Sequence, residues 1–121
     1  MKFINFKQAI LSPFDKLQNE SGEEFLELMV DTIVLQDAEE KETAILNGWK
    51  YNLSRSRHWD KEQENYIMHD GFNDEHLGEL FKDILEKAPN STRVILNVEG
   101  MTDLDEPIQR QIIVELNDIN D

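Results

Sequence analysis

The sequence predicts a single small domain, residues 1–121, of the α/β or α+β class, in which amphipathic helices pack on a small β-sheet. Apolar residues recur at helical spacing in residues 3–17 and 77–88, and a β-branched run bounded by turn residues occupies residues 92–98. No repeat or low-complexity linker interrupts the chain. The C-terminal half is predicted to run helix, strand, helix, around the one hydrophobic core that a chain of this length forms.

The N-terminal half begins with a predicted amphipathic helix over residues 3–17, in which Pro13 is a potential break. A short strand over residues 2–6 is the alternative. Ser21 and Glu24 match a capping box, which favours a second helix over residues 22–36. Because this segment is rich in β-branched residues and apolar on almost every side, a buried strand is its alternative.

Residues 43–53 have the period-two pattern of a strand. One face of this predicted strand carries Ile45, Trp49, Tyr51 and Leu53. Residues 64–68 are predicted to be its hairpin partner.

The clearest element is a helix over residues 77–88, for which Asn73 is the predicted N-cap. The predicted strand at residues 92–98 follows it. An acidic turn then leads to Pro107, which suits the first turn of a last helix. The core face of that helix would consist of Ile108, Ile112, Leu116 and Ile119.

Charge is the most unusual property of the sequence, since 26 acidic and 12 basic side chains give a formal net charge of -14. Such a field repels nucleic acid and anionic membranes, so we expect direct binding to neither. The absence of cysteine excludes a disulfide framework and a thiolate nucleophile, and it fits a reducing compartment. The sequence shows neither an apolar signal segment nor a run of the ~18 apolar residues that span a membrane, so we expect a cytoplasmic protein.

Acidic residues concentrate in three segments, residues 20–40, 62–86 and 99–121, which flank a basic island at residues 41–61. The first segment holds eight carboxylates and no basic residue. We interpret the acidic segments as a face for a basic partner, and the basic island as internal compensation for the surrounding carboxylates. Trp59 lies in the polar stretch RSRHWDKE of this island and is a candidate anchor at an interface.

Histidine and carboxylate residues cluster at His69, Asp70, Asp74 and His76, a combination found in metal sites and in acid–base catalysis. They do not form an H-E-x-x-H pattern, and the histidines flank a turn. Serine-nucleophile, phosphate-loop and dinucleotide motifs are also missing from the sequence. We therefore expect no enzyme activity, no cofactor and no metal.

Residues 77–116 combine a predicted helix, the strand RVILNVEG, the aspartate-containing loop MTDLDEP and a further helix. This order resembles the core of anti-sigma-antagonist (STAS) domains, which implies a regulatory or adaptor function. Glu106 and Pro107 follow Asp105 where that family carries a phosphorylatable serine, so the resemblance does not imply the family's switch. In its size, acidity and lack of cysteine, the chain is similar to immunity proteins that neutralise toxic nucleases and to phage-type inhibitors that mimic DNA.

Together these observations predict an acidic inhibitory binding protein, namely an immunity protein that covers the basic cleft of a cognate toxin of the nuclease class. A DNA-mimic inhibitor of a host defence nuclease and a STAS-like regulatory domain are the alternatives, and the missing motifs disfavour an enzyme that would use His69 and Asp70. The expected partner is a basic protein. The predicted partner-binding residues are Glu23, Glu27, Asp31, Trp59, Asp70, Asp74, Glu75 and Glu79.

Overall fold

The structure is a computed structural model that describes residues 1–20, 25–102 and 104–118. These residues form two α-helices and six strands in an α+β arrangement. The helices are α1 (Phe3–Glu20) and α2 (Asp74–Lys87). The strands are β1 (Phe25–Gln36), β2 (Glu42–Asn47), β3 (Ser54–Asp60), β4 (Asn65–Asp70), β5 (Arg93–Thr102) and β6 (Pro107–Glu115). Single turns of 3₁₀ helix span Gly48–Tyr51 and Leu116–Asp118.

The six strands form one antiparallel sheet in the order β4-β3-β1-β5-β6, with β2 also paired to β1. On one edge, β1 pairs with β5 from Phe25 to Gln36. On its other edge it pairs with β3 through residues 27–29 and with β2 through residues 32–36. Strands β2 and β3 therefore follow one another along the same edge of β1, and the 3₁₀ helix Gly48–Tyr51 lies between them.

The hydrophobic core fills the space between the two helices and one face of this sheet. Helix α1 contributes Phe6, Ile10 and Phe14, which are spaced four residues apart and have no exposed surface. Helix α2 and the strands contribute further members, which include Leu77, Leu80, Ile84, Leu28, Ile33, Leu35, Val94, Leu96 and Ile112. Each fully buried side chain of this kind stabilises the fold by about 1.5–3 kcal/mol relative to its exposed state.

The predictions for both helices of the helical layer are confirmed. Residues 3–17 lie within α1, which continues through Pro13, and the alternative of a strand at residues 2–6 is wrong. Asn73 is the N-cap of α2, because its side chain accepts a hydrogen bond from the backbone N–H of His76 at 2.9 Å.

The predicted helix over residues 22–36 is wrong, since β1 occupies Phe25–Gln36. Ser21 and Glu24, on which the helix prediction rested, lie outside the described residues. Strand β1 is flanked by β5 on one side and by β2 and β3 on the other, so its backbone groups are satisfied by three neighbours rather than within a helix. Its β-branched, largely apolar composition suits a central strand.

The predicted helix after Pro107 is also wrong, since Pro107–Glu115 is strand β6. Ile108 and Ile112 are four residues apart, and this spacing is compatible with a helix face but also falls on one face of a strand, whose period is two. The C-terminal half therefore runs helix, strand, strand, and the second helix required by the resemblance to STAS domains is not found at residues 107–115.

The strand predicted over residues 43–53 is shorter than expected, because β2 ends at Asn47 and Gly48–Tyr51 forms the 3₁₀ helix. The hairpin prediction named the wrong partner. Strand β4 pairs with β3 over Asp60↔Asn65 to Arg55↔Asp70, whereas β2 pairs with β1. Trp49 and Tyr51 therefore lie in the 3₁₀ helix and not on the strand face that was predicted for them.

Candidate functional site

One face of the sheet points away from α1 and α2, and none of the described elements covers it. We call it the open face. Its side chains alternate along each strand with the buried ones, so that Glu27 and Met29 of β1 and Glu99 and Met101 of β5 lie on it. A sheet face that is left uncovered is available for a partner.

The 3₁₀ helix brings an indole ring to the rim of the open face. Gly48 packs so closely against β1 that a Cβ atom at this position would lie 2.2 Å from the carbonyl oxygen of Val30. The next residue, Trp49, donates its indole N–H to the carboxylate of Asp31 at 2.9 Å, and its backbone N–H is bonded to Asn47. Trp49 is 56% exposed, and these two bonds hold it in place.

Replacement of Gly48 by alanine is expected to lower the free energy of unfolding by about 1–3 kcal/mol, because the added methyl group must displace the backbone of β1. Urea denaturation followed by tryptophan fluorescence measures this loss. Gly78→Ala is the matched control, since Gly78 sits inside α2 and a methyl group added to it would meet no described atom within 4 Å beyond its chain neighbours and the backbone of its own helix. It should stabilise the protein by about 0.5–1 kcal/mol. Equal stability of Gly48→Ala and the wild type would contradict this account of the turn.

Two carboxylates lie beside the indole in a shallow groove. The groove has a volume of about 190 Å³ and is lined by Glu27, Met29, Trp49, Glu99, Gly100 and Met101. Glu27 is opposite Met101, and Met29 is opposite Glu99, so the two glutamates are diagonal neighbours on adjacent strands. Both are exposed, and neither forms a salt bridge with any residue that the structure describes. The groove thus combines apolar walls with two unneutralised negative charges.

A second groove, of about 460 Å³, adjoins the first and shares Glu99 with it. Its other lining residues are Asn97, Val98, Gln109, Arg110 and Gln111. Most of them carry amide groups, and Gln111 donates a hydrogen bond to Asn97 across β5 and β6 at 3.0 Å. This groove therefore offers several hydrogen-bonding groups beside the acidic groove.

A row of four aliphatic side chains crosses the open face next to the amide groups. Val34 of β1 is opposite Ile45 of β2 and Ile95 of β5, and Ile95 is opposite Ile113 of β6. We call these four residues the aliphatic row. Its two ends are well exposed, with Ile45 at 60% and Ile113 at 54%. Four β-branched residues in line on an uncovered sheet face are typical of an interaction surface.

An ion-paired row borders the aliphatic row on its far side. The guanidinium of Arg93 donates to Glu115 at 2.6 Å, and to Gln36 and Glu40 at 3.3 Å each. The hydrogen bond from Arg93 to Glu115, followed by the bond to Glu40, raises the pKa of the guanidinium. The positive charge of Arg93 is thus already neutralised, and the open face keeps its negative charge.

The structure divides the predicted partner-binding residues between two surfaces. Glu27 and Asp31 lie on the open face and at its rim, and Glu23 lies outside the described residues. The remaining five residues are on the helical side of the sheet. They are Trp59, Asp70, Asp74, Glu75 and Glu79.

Two of the acids on the helical side are already paired with basic residues. The Asp70 carboxylate accepts a hydrogen bond from Arg55 at 3.2 Å, and Asp74 forms a salt bridge with Lys7 of α1. Glu75 and Glu79 are exposed on α2. This side therefore offers less unneutralised charge than its sequence suggests.

Trp59 is exposed, as an anchor must be, but it lies apart from the acids of the open face. Ser56 of β3 is opposite Glu27, so Trp59, three residues further, points to the other face of the sheet. Trp59 is 52% exposed, and its ring packs edge-to-face with the Tyr66 ring at a centroid distance of 5.2 Å. The indole that lies beside Glu27 is instead that of Trp49, which the period-two pattern had assigned to a strand face.

The basic island contacts acids of the two helices. Arg55 donates to Asp15 of α1 at 2.7 Å in addition to Asp70, and its guanidinium lies over the Phe14 ring. Lys50 donates to Asp83 of α2 at 2.9 Å. These contacts join β3 and the 3₁₀ helix to the helical layer.

Asp83 is a residue that the sequence patterns did not single out. It is only 6% exposed, and its carboxylate accepts hydrogen bonds from the Tyr51 hydroxyl at 2.7 Å and from Lys50. The bonds from Tyr51 and Lys50 lower the pKa of Asp83. Burial, followed by the bond to Asp83, raises the pKa of Tyr51. A polar residue on the apolar face of α2 was the available signal, since position 83 falls between Leu80 and Ile84.

The histidine and carboxylate residues considered as metal ligands are engaged in separate contacts. The His76 ring nitrogen lies 2.8 Å from the carbonyl oxygen of Gly71, and the His69 ring stacks on His58 at 5.0 Å. Asp70 and Asp74 bind Arg55 and Lys7 as described. Nowhere in residues 1–20, 25–102 and 104–118 do three potential ligands gather around one point.

Comparison of the chain with protein families, with curated proteins and with solved structures finds no significant match. Within the described parts of the chain, neither helix has the length and apolar character that crossing a membrane requires.

Proposed function

We propose that this chain is an acidic inhibitory binding protein, an immunity protein that neutralises a cognate toxin of the nuclease class by covering its basic cleft. The observation that supports it most is the pair of unneutralised carboxylates, Glu27 and Glu99, beside the exposed ring of Trp49 on an uncovered sheet face. The whole chain carries a net charge of -14, which would steer a cationic partner towards it.

A nuclease cleft is cationic because it must hold phosphates. Carboxylates placed against such a cleft replace the phosphates, and an aromatic anchor with apolar neighbours adds the desolvated contact from which most binding free energy comes. The groove around Trp49 supplies both kinds of group. Its residues bind the partner by charge and by burial.

The alternative of a DNA mimic predicts two rows of carboxylates at the spacing of phosphates. On the open face the carboxylates instead surround an apolar groove, and the aliphatic row has no counterpart on a phosphate backbone. This arrangement favours a protein cleft with its own apolar contacts over a site that binds only phosphates.

The test is to purify the tagged chain from its native host, identify the bound protein and measure the affinity of the purified pair. We expect a basic partner whose nuclease activity is lost at a one-to-one ratio with this chain. Electrostatic docking predicts that affinity falls at least about tenfold between 50 and 300 mM salt. A partner without basic character, or an affinity that does not respond to salt, would refute the proposal.

A further inference from the structure

Strand β6 is the outer strand of the sheet, and the hydrogen bonds at its two ends show which of its backbone groups face outward. The N–H of Thr102 donates to Glu106 at 2.9 Å, and the N–H of Leu116 donates to Thr92 at 2.8 Å. Hydrogen-bonded pairs alternate with non-hydrogen-bonded pairs along an antiparallel ladder. The even-numbered residues of β6 therefore bond to β5, and the backbone groups of the odd-numbered residues point away from it.

These outward groups begin with Pro107, which lacks an N–H and so leaves no donor unpaired. The carbonyl of Gln109 accepts a hydrogen bond from the side chain of Arg110 at 2.8 Å. The outward groups of Gln111, Ile113 and Glu115 have no partner among the described residues. Three consecutive outward positions therefore remain open to another strand.

Strand β4, at the opposite end of the sheet, has one of its outward donors occupied by a side chain. Its outward N–H at Tyr66 donates to the side chain of Asn65 at 2.8 Å. Proteins protect edge strands from pairing with other chains by such local devices and by charges. From Gln111 onward, none of the described side chains forms a hydrogen bond with the outward backbone groups of β6.

The side chains at the same three positions lie on the open face, because odd-numbered residues of β6 are opposite Asn97, Ile95 and Arg93 of β5. Ile113 is the exposed end of the aliphatic row. Gln109, two residues before Gln111, is opposite Glu99. A strand added to β6 would continue the aliphatic row at one position and reach the acidic groove at another.

We propose that the edge of β6 from Gln111 to Glu115 receives an extended basic segment of the partner as an additional strand. This rests on the proposed function for the basic character of the partner. The segment would carry an aliphatic residue beside Ile113, a polar residue beside Gln111 and a lysine or arginine beside Gln109, from which the cation reaches Glu99. A second copy of this chain is a poor occupant, since it would bring two charges of -14 together.

The probe is a synthetic six-residue peptide in which the first, third and fifth residues are lysine, threonine and valine, and the intervening residues are threonine. Its titration into the ¹⁵N-labelled full chain should give a dissociation constant on the order of 0.1–1 mM, with the largest amide shifts in β6. Gln111→Pro removes the outward N–H and leaves the bonds between β5 and β6 intact. We expect it to weaken peptide binding about tenfold or more, while Gln111→Ala, which keeps the N–H, stays within about twofold of the wild type.

The outcomes separate this proposal from the proposed function. Equal binding by Gln111→Pro and Gln111→Ala, with both folded by circular dichroism, overturns strand addition, and so does equal binding of a peptide N-methylated at alternate positions. The absence of any binding, or shifts confined to β4, overturns it as well. A dimer of the free chain that Gln111→Pro dissociates would identify a second copy as the occupant and overturn the basic partner segment. If peptide binding is lost in Gln111→Pro but does not change with salt, strand addition at β6 is supported and electrostatic docking of a basic partner is overturned.

Discussion

Replacement of Asp83 by leucine is expected to lower the free energy of unfolding by about 1–4 kcal/mol. The buried Tyr51 hydroxyl loses its acceptor, at about 1–3 kcal/mol, and the exposed Lys50 loses an ion pair whose smaller contribution is screened by solvent. Lys87, one turn along α2, also lies within 3.6 Å of this carboxylate. The Asp83 contacts join α2 to the 3₁₀ helix that carries Trp49. Urea denaturation of the variant and the wild type measures the loss.

Asp83→Asn is the matched control, since it keeps the shape and an acceptor oxygen but removes the charge, and it should cost about 1–2 kcal/mol. Tyr51→Phe removes the buried hydroxyl itself, so that only the bond is lost, at about 1 kcal/mol. If Asp83→Leu is as stable as the wild type, the carboxylate has no part in holding the two elements together.

The same carboxylate gives a dependence on pH. The pKa of Asp83 is lowered in the folded chain, so below about pH 4 the unfolded chain takes up a proton more readily than the folded one. The stability contributed by Asp83 is therefore complete above about pH 4 and is lost as the pH falls further. The difference in unfolding free energy between the wild type and Asp83→Asn should be constant between about pH 6 and 8 and should shrink in acid. Titration of the many other carboxylates is common to both proteins and cancels in this difference.

Reversal of the two open-face charges in Glu27→Lys/Glu99→Lys is expected to weaken the complex with the basic partner about 100-fold or more. Two attractive contacts become like-charge contacts next to the apolar groove, where salt screens them least. Because both side chains are exposed and form no salt bridge in the described residues, the fold of the free protein should be unaffected. Surface plasmon resonance at constant salt measures the affinity.

The control is Glu75→Lys/Glu79→Lys, which makes the same change in net charge on α2, on the other side of the sheet. It should lower the association rate modestly through the weaker long-range field and leave the dissociation rate unchanged. The reverse result, a large loss from the α2 pair and none from the open-face pair, would place the interface on the helical side, where most of the residues predicted from the sequence lie.

Local patterns in the sequence were sufficient to predict the helices α1 and α2. The mixed spacings of three and four residues in the series Phe3, Phe6, Ile10, Phe14 and Leu17 fit a helix face and not the period of two of a strand. Asn73 provides a local cap for α2. Both features depend on contacts between residues close in sequence. The strand at residues 92–98 was predicted for a similar reason, since turn residues bound a short β-branched run.

The strands β1 and β6 could not be distinguished from helices in this way. A buried segment that is apolar on nearly all sides has no clear period, and the spacing of four between Ile108 and Ile112 fits both structures. The choice depends on the strands that pair with them, and β1 receives partners from residues as distant as 42–56 and 93–102.

The residues of the candidate site could be predicted from the sequence only in part, for the same reason. The predicted residues Glu27 and Asp31 lie at the open face, but Trp49 and Glu99 join them only because β2, β1 and β5 are neighbours in the sheet. Trp59 is exposed, yet the alternation of side chains along β3 places it on the opposite side of the sheet from Glu27.

The sequence by itself determined the acidic charge of this protein, the positions of α1 and α2 and the combination of helices with a small β-sheet, because composition and local periodicity depend on neighbours along the chain. Only the tertiary structure decided which carboxylates remain unpaired, which face of the sheet is uncovered and which strand edge is free. These properties depend on strand pairing between distant residues, where a shift of one position moves every side chain to the other face. Charge is thus set by the sequence, and its availability to a partner is set by the fold.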